Sequence, residues 1–581
     1  MQHLHQQYLI QENDGYYAFN KEIRSSVIDY LVNISDEYAF KHSTIHLGIN
    51  LFDRYLLTNS INDDQMKIIG TICLFIAVKI EEIKNPTIIN LEEWISEKNT
   101  DDVDNSPKTN YSRQDLIKLE QEILEKLQYN VYCNTIVHYL NLFNQTAKLS
   151  KKNYIFSLYL AIILLTTIDY IFVEPYFLAQ KIAEFVLAFD NDDIIWQIQN
   201  NIMYEYIYLT WKNMESSKLA SIRKMFGEEK YMFTAAYKST MHVSYESNTK
   251  TISMPRNFIK TSIKSLISTN FYTEESIDDS IIVNELGRGT FGVVCRTFIT
   301  CDKDKCSKEI ALKKILSRDT DFDGINGDIL RELNALYILD HPNIIKLHGF
   351  YYNSSTRISY IGMEYMHGCL HSQIKNGVLT KQTKERYILQ LLRGLKYMHS
   401  RNIMHRDLST ANVLISNDGQ LKIGDFGSSR YFYHSNRVSS YSSYICSLQF
   451  RSIELLLGQN LYTELIDVWS CGFIIGYILN NTYLLSSDNE IDMISQIFRV
   501  LGTPCDTYNP QLCTWPNFNR EKWKQTPKKG FTHLEIKYPI FTPILYQMLE
   551  YNPANRISAD NALTQFTAAI ANNSDEYEIK N

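Results

Sequence analysis

Apolar residues at 68, 69, 72, 75, 76 and 80 recur at the spacing of a helix buried on most of its sides. Residues 154–173, YIFSLYLAIILLTTIDYIFV, are apolar nearly throughout and long enough to cross a bilayer. Asp169 near one end and the polar Ser157, Thr166 and Thr167 argue instead for a helix inside a protein core, and both readings stay open at this point. Further along, the pattern turns to short β-forming runs. Ile281-Ile282-Val283 and Val293-Val294 flank a glycine-rich stretch, Ile310-Ala311-Leu312-Lys313 reads as the next strand, and the run from Asp328 to Leu333 starts a helix. Between the two regions the pattern loosens. Residues 213–279 read as a solvated linker with one or two short helices, and Lys, Ser, Thr and Asn dominate 237–270. The cations Lys250, Arg256, Lys260 and Lys264 spaced along it leave a substrate-docking or nuclear-import role open. Residues 97–110, EKNTDDVDNSPKTN, form an acidic polar insertion expected to be a loop.

A length of 581 residues predicts two or three domains with ample chain for large cores. The net charge of −7 and a pI near 6.1 argue against direct nucleic-acid binding. Ten cysteines are scattered without a C-x-x-C pair, which suits free thiols in a reducing compartment, the cytoplasm or nucleus. Cys301 and Cys306 sit in a polar turn between two strands and read as a hairpin tip rather than a metal site. The stretch from Met1 to Asp14 is polar, so neither a signal peptide nor a membrane is expected.

The chemistry is concentrated in residues 405–427, HRDLSTANVLISNDGQLKIGDFG. Phosphoryl transfer from ATP needs a carboxylate beside the acceptor hydroxyl, an amide on one Mg²⁺ ion and a carboxylate on the metal ions. The spacing supplies Asp407 as base or hydroxyl positioner, Asn412 on one Mg²⁺, and Asp425 of the DFG turn on the Mg²⁺ ions. Residues 286–294, LGRGTFGVV, supply a candidate ATP loop: Leu286, Gly287, Arg288, Gly289, Thr290, Phe291, Gly292, Val293 and Val294. G-x-G-x-x-G also marks dinucleotide folds, but β-formers on both sides and the lack of a helix behind it favour a hairpin closing over phosphates. Lys313 is placed to hold the α/β-phosphates, with Glu332 as its expected ion partner.

Residues 280–569 resemble the cyclin-dependent kinases. The resemblance rests on ALKKI (311–315), LRELNAL (330–336), LDHPNIIKL (339–347), LQLLRGLKYMHSRNIMHRDL (389–408), FRSIELLLG (450–458), IDVWSCG (466–472) and EIDMISQIFRVLGTP (490–504). The helix carrying PSTAIRE in the best-known members reads NGDILRE here (326–332). Residues 22–130 resemble a cyclin box, with segments 23–31, 46–56 and 70–82 as its first three helices, and 134–212 resemble a second, weaker cyclin repeat. The resemblance implies a multidomain chain: an all-α cyclin fold of two cyclin-box repeats (1–133 and 134–212), a linker (213–279), and an α+β bilobal protein-kinase fold (280–569). It implies Met363 as gatekeeper and Glu364 and Met366 in an ATP-binding hinge. It also implies that Lys79 and Glu120 grip the kinase's regulatory helix, as rim or partner-facing charges.

Departures from the family pattern are informative. Ser409 and Thr410 stand where a lysine and a proline are usual, and Phe291 replaces the loop tyrosine used for inhibitory phosphorylation. Glu454 and Arg556 are retained as an expected ion pair. Arg451, with Ser447 in the P+1 loop, implies proline after the acceptor, because that arginine meets a backbone carbonyl in the P+1 pocket. Arg331, Arg406 and Arg430 hold the positions that converge on a loop phosphate, expected at Ser442 with Ser440 as runner-up, among Ser439, Ser440, Ser442 and Ser443. The implied function is ATP-dependent phosphorylation of serine or threonine in protein substrates, activated by an intramolecular cyclin–kinase contact. As a flexible tether, about 40 linker residues would span roughly 35 Å, enough to allow that contact. A pseudokinase acting as a regulatory scaffold, and a cyclin half serving another kinase in trans, are the alternatives.

Overall fold

The computed structural model describes residues 21–59, 61–82, 84–96, 111–131, 133–147, 149–167, 174–189, single positions between 204 and 222, 282–289, 292–301, 306–315, 324–353, 358–432, 446–504, 515–518, 523 and 525–578. The insertion at 97–110, nearly all of the linker with its four cations, Thr290, Phe291 and the loop serines Ser439, Ser440, Ser442 and Ser443 lie outside the described residues. Contacts divide the chain into two compact units. The first holds Met1–Phe271 with Arg318–Leu330 and Tyr433–Asn436, and the second holds Tyr272–Ser317, Arg331–Phe432 and Arg437–Asn581.

The first unit is helical: α1 (Lys21–Glu37), α2 (His42–Leu56), α3 (Asp63–Glu81), α4 (Ile88–Ile95), α5 (Arg113–Lys126), α6 (Ile136–Ala147), α7 (Lys151–Leu165) and α8 (Pro175–Phe189). Helix α3 is buried from Ile68 to Glu81, as its apolar spacing predicts. Thr87 and Ser112 start α4 and α5 with capping boxes, each accepting from the backbone N–H three residues on. One cation ties three helices together. Arg24 on α1 donates two bonds to Asp53 of α2, at 2.6 and 2.8 Å, and further bonds to the carbonyls of Leu165 and Thr166 at the end of α7. A guanidinium matches both the carboxylate fork and the negative end of a helix, so this buried charge is fully engaged.

Helix α7 settles the long apolar stretch. It runs for 15 residues and ends at Leu165, so at ~1.5 Å per residue it is well short of a ~30 Å hydrocarbon layer. Residues 155–165 are buried on every side. No helix among the described residues is long and apolar enough to cross a membrane.

The second unit opens with an antiparallel five-stranded sheet in the order β1-β2-β3-β5-β4, from β1 (Ile282–Gly289), β2 (Gly292–Cys301), β3 (Cys306–Ile315), β4 (Leu347–Asn353) and β5 (Ile358–Glu364). β1 and β2 form a hairpin in which Gly289 pairs with Gly292 and Gly287 with Val294. Cys301 and Cys306 pair in register at the end of the β2–β3 ladder, which is the hairpin-tip placement. Helix α9 (Gly327–Ile338) belongs to the first unit up to Leu330 and to the second from Arg331. Short strands β6 (Gly368–Cys369), β7 (Ile403–Met404), β8 (Val413–Ile415), β9 (Leu421–Ile423) and β10 (Arg430–Tyr431) frame the 405–427 loop. Below them lie α10 (Leu370–Lys375), α11 (Lys381–Ser400), α12 (Ile453–Leu456), α13 (Leu465–Asn480), α14 (Glu490–Leu501), α15 (Thr532–Lys537), α16 (Thr542–Met548) and α17 (Ala559–Glu578). Arg556 clamps this helical part: it pairs with Glu454 at 2.7 and 2.9 Å beneath Trp469, as the sequence predicts.

Candidate active site

Lys313 lies on the central strand β3 and is buried. Its Nζ is 2.8 Å from both carboxylate oxygens of Glu332 on α9 and 2.9 Å from Oδ1 of Asp425. Burial alone would strip its proton, but the two carboxylates outweigh it and hold the ammonium above its ordinary range. Burial likewise pushes the Asp425 carboxyl up, and the Lys313 charge and bond bring it below its usual value. Asp425 sits at φ 59°, ψ 75°, a left-handed conformation that turns the chain sharply after β9. Phe426 beside it is fully buried against His405, with ring centroids 4.9 Å apart.

Asp407 and Asn412 stand on the loop between β7 and β8. Asn412 Nδ2 donates to the Asp407 carbonyl at 2.8 Å and to its carboxylate at 3.3 Å. The amide nitrogen is thus committed, and the amide oxygen is the atom it can offer a cation. The Ser447 N–H donates to the other Asp407 oxygen at 3.2 Å. Burial raises the Asp407 pKa; nearby Asp425 adds to this, while His405 and the two bonds pull the other way. Oxygen donors on Asn412 and Asp425 fit a hard cation such as Mg²⁺.

Ser409 and Thr410 are buried. Ser409 Oγ accepts from the Asn412 N–H at 3.4 Å, so the residue in the lysine position braces the loop turn. The glycine loop has divided roles. A Cβ on Gly287 would meet nothing within 4 Å, whereas one on Gly292 would collide with the Lys314 carbonyl. Gly292 is therefore required by β3, independently of any phosphate. Leu286 is exposed, and Val293 is buried against the sheet. Met363 is buried in register with Ala311 and Leu347. The Glu364 carboxylate accepts from Lys346 N–H at 2.6 Å and Lys422 Nζ at 2.8 Å, which leaves hinge contacts at 364 and 366 to the backbone.

Two contacts and one backbone conformation escaped the sequence reading, which had Arg451 meeting a P+1 carbonyl without naming it; that carbonyl is Cys446's. Asp467, at the start of α13, is buried and accepts from the backbone N–H of His405 and of Arg406, each at 2.8 Å. His405 Nε2 bonds the Gly424 carbonyl at 2.9 Å, linking the 405–412 loop to the DFG turn. Cys446 adopts φ 69°, and its carbonyl accepts from Arg451 Nε at 3.2 Å and Nη2 at 2.9 Å. The signal for Asp467 was its place in IDVWSCG; a backbone conformation at Cys446 leaves none. Among the phosphate-binding candidates, Arg331 and Arg406 are buried, and Arg430 pairs across β10–β7 with Met404.

Inside the first unit, Lys79 on α3 pairs with Glu120 on α5 at 2.7 Å and donates to the Ile325 carbonyl at 2.9 Å. Its ammonium lies 4.3 Å from the Phe75 ring centroid. Of the two settings expected from the sequence, rim or partner-facing, neither charge is at a rim. They are 2% and 1% exposed: each is the other's ion partner, and Gly324 and Ile325 lie against them. Gly324, at φ 77°, permits that approach: a Cβ there would collide with Glu120 Oε2 and stand 3.3 Å from Lys79 Nζ.

Two family descriptions match the chain: protein kinase domain over residues 281–566, and cyclin, N-terminal domain over residues 1–132. The chain is 32% identical over 562 residues to the putative serine/threonine-protein kinase L673 of Acanthamoeba polyphaga mimivirus, covering 94% of this chain and 97% of that protein. It is 30% identical to the putative serine/threonine-protein kinase L670 of the same virus, over 94% and 93% of the two chains. Against the probable cyclin-dependent kinase 10 of Dictyostelium discoideum it is 35% identical, over 48% of this chain and 76% of that protein. With the kinase geometry in the second unit and a cyclin domain at the N-terminal end, the chain belongs to the serine/threonine-protein kinases of the cyclin-dependent type.

Proposed function

We propose that this kinase transfers the γ-phosphoryl group of ATP to serine or threonine followed by proline, and that its own N-terminal half serves as its cyclin. The observation carrying the acceptor preference is the Cys446 carbonyl. It is turned by a positive φ onto Arg451, so it is not offered to a substrate N–H. A proline at that substrate position has no N–H to leave unpaired, and other residues do. A Ser-Pro peptide should be phosphorylated at least tenfold faster than its Ser-Ala counterpart on the ~1.4 kcal/mol-per-decade scale. Equal rates would refute the preference.

In this reading Asp407 orients or deprotonates the acceptor hydroxyl. Lys313, set by Glu332, binds the α/β-phosphates under the 286–294 hairpin, and the hinge backbone at 364 and 366 takes the adenine. Mg²⁺, held by Asn412 and Asp425, supplies charge neutralisation to the phosphates. Catalysis is then positioning and electrostatics, which suits a site whose charged groups are already buried and paired. Arg331, Arg406 and Arg430 receive a phosphate on Ser442, or on Ser440. Phosphatase treatment that leaves activity intact would make them structural only.

Self-activation is supported by the Lys79–Ile325 bond and by the left-handed Gly324 beside it. Both lie immediately ahead of the helix that carries Glu332. Free buried thiols at Cys73, Cys295 and Cys471 suit a reducing compartment, cytoplasmic or nuclear.

A further inference from the structure

One histidine next to the catalytic loop has no part in the mechanism above. His371 lies in the first turn of α10, and its backbone N–H donates to the Thr410 carbonyl at 3.1 Å. Its Nδ1 is 3.1 Å from the Tyr477 hydroxyl and 3.2 Å from the Tyr483 hydroxyl. Both phenol rings lie within about 22° of the imidazole plane, and the two are 4.7 Å apart. A neutral imidazole with its proton on Nε2 presents the Nδ1 lone pair as an acceptor to a phenol O–H.

The connections of this group run to both sides of the peptide site. Tyr477 is in the last turn of α13, the helix whose first turn carries Asp467. That helix therefore holds His405 and Arg406 directly through Asp467, and holds Thr410 through Tyr477 and His371. Tyr483 packs edge-on against buried Phe450 at 5.9 Å, four residues beyond the Cys446 carbonyl.

We propose that His371 is a positioning residue for phosphotransfer: its unprotonated Nδ1 accepts from Tyr477 and Tyr483, and this clasp fixes the far end of the catalytic loop relative to the P+1 segment. Ser409 and Thr410 are small, and the local turn offers them only the Asn412 N–H, at 3.2 Å from the Ser409 carbonyl and 3.4 Å from its Oγ among the described contacts, so the loop end gains from an external brace. The clasp touches neither nucleotide nor acceptor, so its loss acts on peptide alignment.

The test uses the full chain and a Ser-Pro peptide. His371→Ala should lower kcat/KM for peptide about tenfold, the worth of one to two neutral hydrogen bonds, and leave KM for ATP within about twofold. His371→Asn, whose Oδ1 takes the place of Nδ1, should restore most of the loss; His371→Gln, whose Oε1 takes the place of Nε2, should not. In a Tyr477→Phe/Tyr483→Phe background His371→Ala should add nothing further. Histidine ¹⁵N spectra, assigned by the signal lost in His371→Asn, should show Nδ1 unprotonated and Nε2 protonated at pH 7. An unchanged kcat/KM, equal rescue by Gln and Asn, additive losses, or a protonated Nδ1 would each overturn the proposal. The spectra do so whatever the activity of the variants.

Discussion

Among the described residues, two lysine–glutamate pairs are buried, one in each unit, and their local geometry is closely alike. Lys313 stands 2.8 Å from Glu332, and Lys79 stands 2.7 Å from Glu120. They differ in the third partner. Lys313 has a second carboxylate, Asp425, at 2.9 Å, so that group carries one negative charge in excess. Lys79 also donates to the Ile325 carbonyl and faces the Phe75 ring. An excess negative charge in a low-dielectric site favours a nearby cation. A donor fixed by its ion partner is suited to holding a segment of backbone. The same two residue types thus stand in two settings, one beside a second carboxylate and one against a backbone carbonyl.

Exchanging the partners separates the two roles. Lys313→Glu with Glu332→Lys keeps a salt bridge but places a carboxylate toward the phosphates. Activity should fall by about three decades, ~4 kcal/mol of barrier, in a peptide kinase assay. The corresponding exchange of Lys79 and Glu120 keeps a neutral pair and should cost far less. Should both exchanges cost the same, the distinction between the pairs is lost.

Removing one member of the first unit's pair is a different perturbation. Lys79→Met leaves Glu120 buried without its cation and should destabilise the first unit by about 3–5 kcal/mol in denaturant unfolding. A change under ~1 kcal/mol would mean that Glu120 reaches water, contrary to its burial.

Acid should also tell the units apart. Burial, with His42 and His138 nearby, holds His46 well below its ordinary value of 6.5, and burial pushes His138 down to about 3. The unfolded chain takes up these protons below pH 6.5 and the fold does not. Their contribution to stability is therefore complete above 6.5 and falls as pH drops below it. For His138 the fall continues toward 3, and the loss at pH 5 is roughly 2 kcal/mol. Asp425 has the same sign but a later window: its depressed pKa stabilises the second unit above about 3.8 and is lost only below that. Melting followed between pH 7 and pH 5 should show the first unit loosening first.

Gly324→Ala should have the smallest effect of this series. The left-handed backbone costs about 1–2 kcal/mol for a residue with a Cβ, and the collision with Glu120 displaces the segment that Lys79 holds. About tenfold lower activity with an unchanged ATP KM is expected.

The Lys313–Glu332 pair was legible from the sequence because its members sit in motifs of fixed spacing. Lys313 contacts Glu332 and Asp425, and Asn412 contacts Asp407, as the motifs of 286–332 and 405–427 suggest. The burial of α3 was legible from its period, and that of α7 from its polar interruptions. The Lys79–Glu120 pair was visible only through the cyclin resemblance, which left its setting open between a rim and a partner-facing position. A charge at a helix surface looks solvated until the chain that lies against it is known, and here that chain is 246 residues away, at Ile325. Arg24 and Asp53 were hidden for the same reason. Cys446 and Gly324 act through positive φ. Glycine at least advertises that freedom, but cysteine does not.

The central claim is that one chain carries both the kinase and the activator it uses. Its most direct test is the specific activity of the purified full chain on a Ser-Pro peptide, with no added cyclin, over an enzyme dilution from about 1 µM to about 1 nM. A tethered partner at an effective concentration near millimolar stays bound throughout, so activity per molecule should remain constant. A steep fall on dilution would contradict the account and assign activation to contacts between chains.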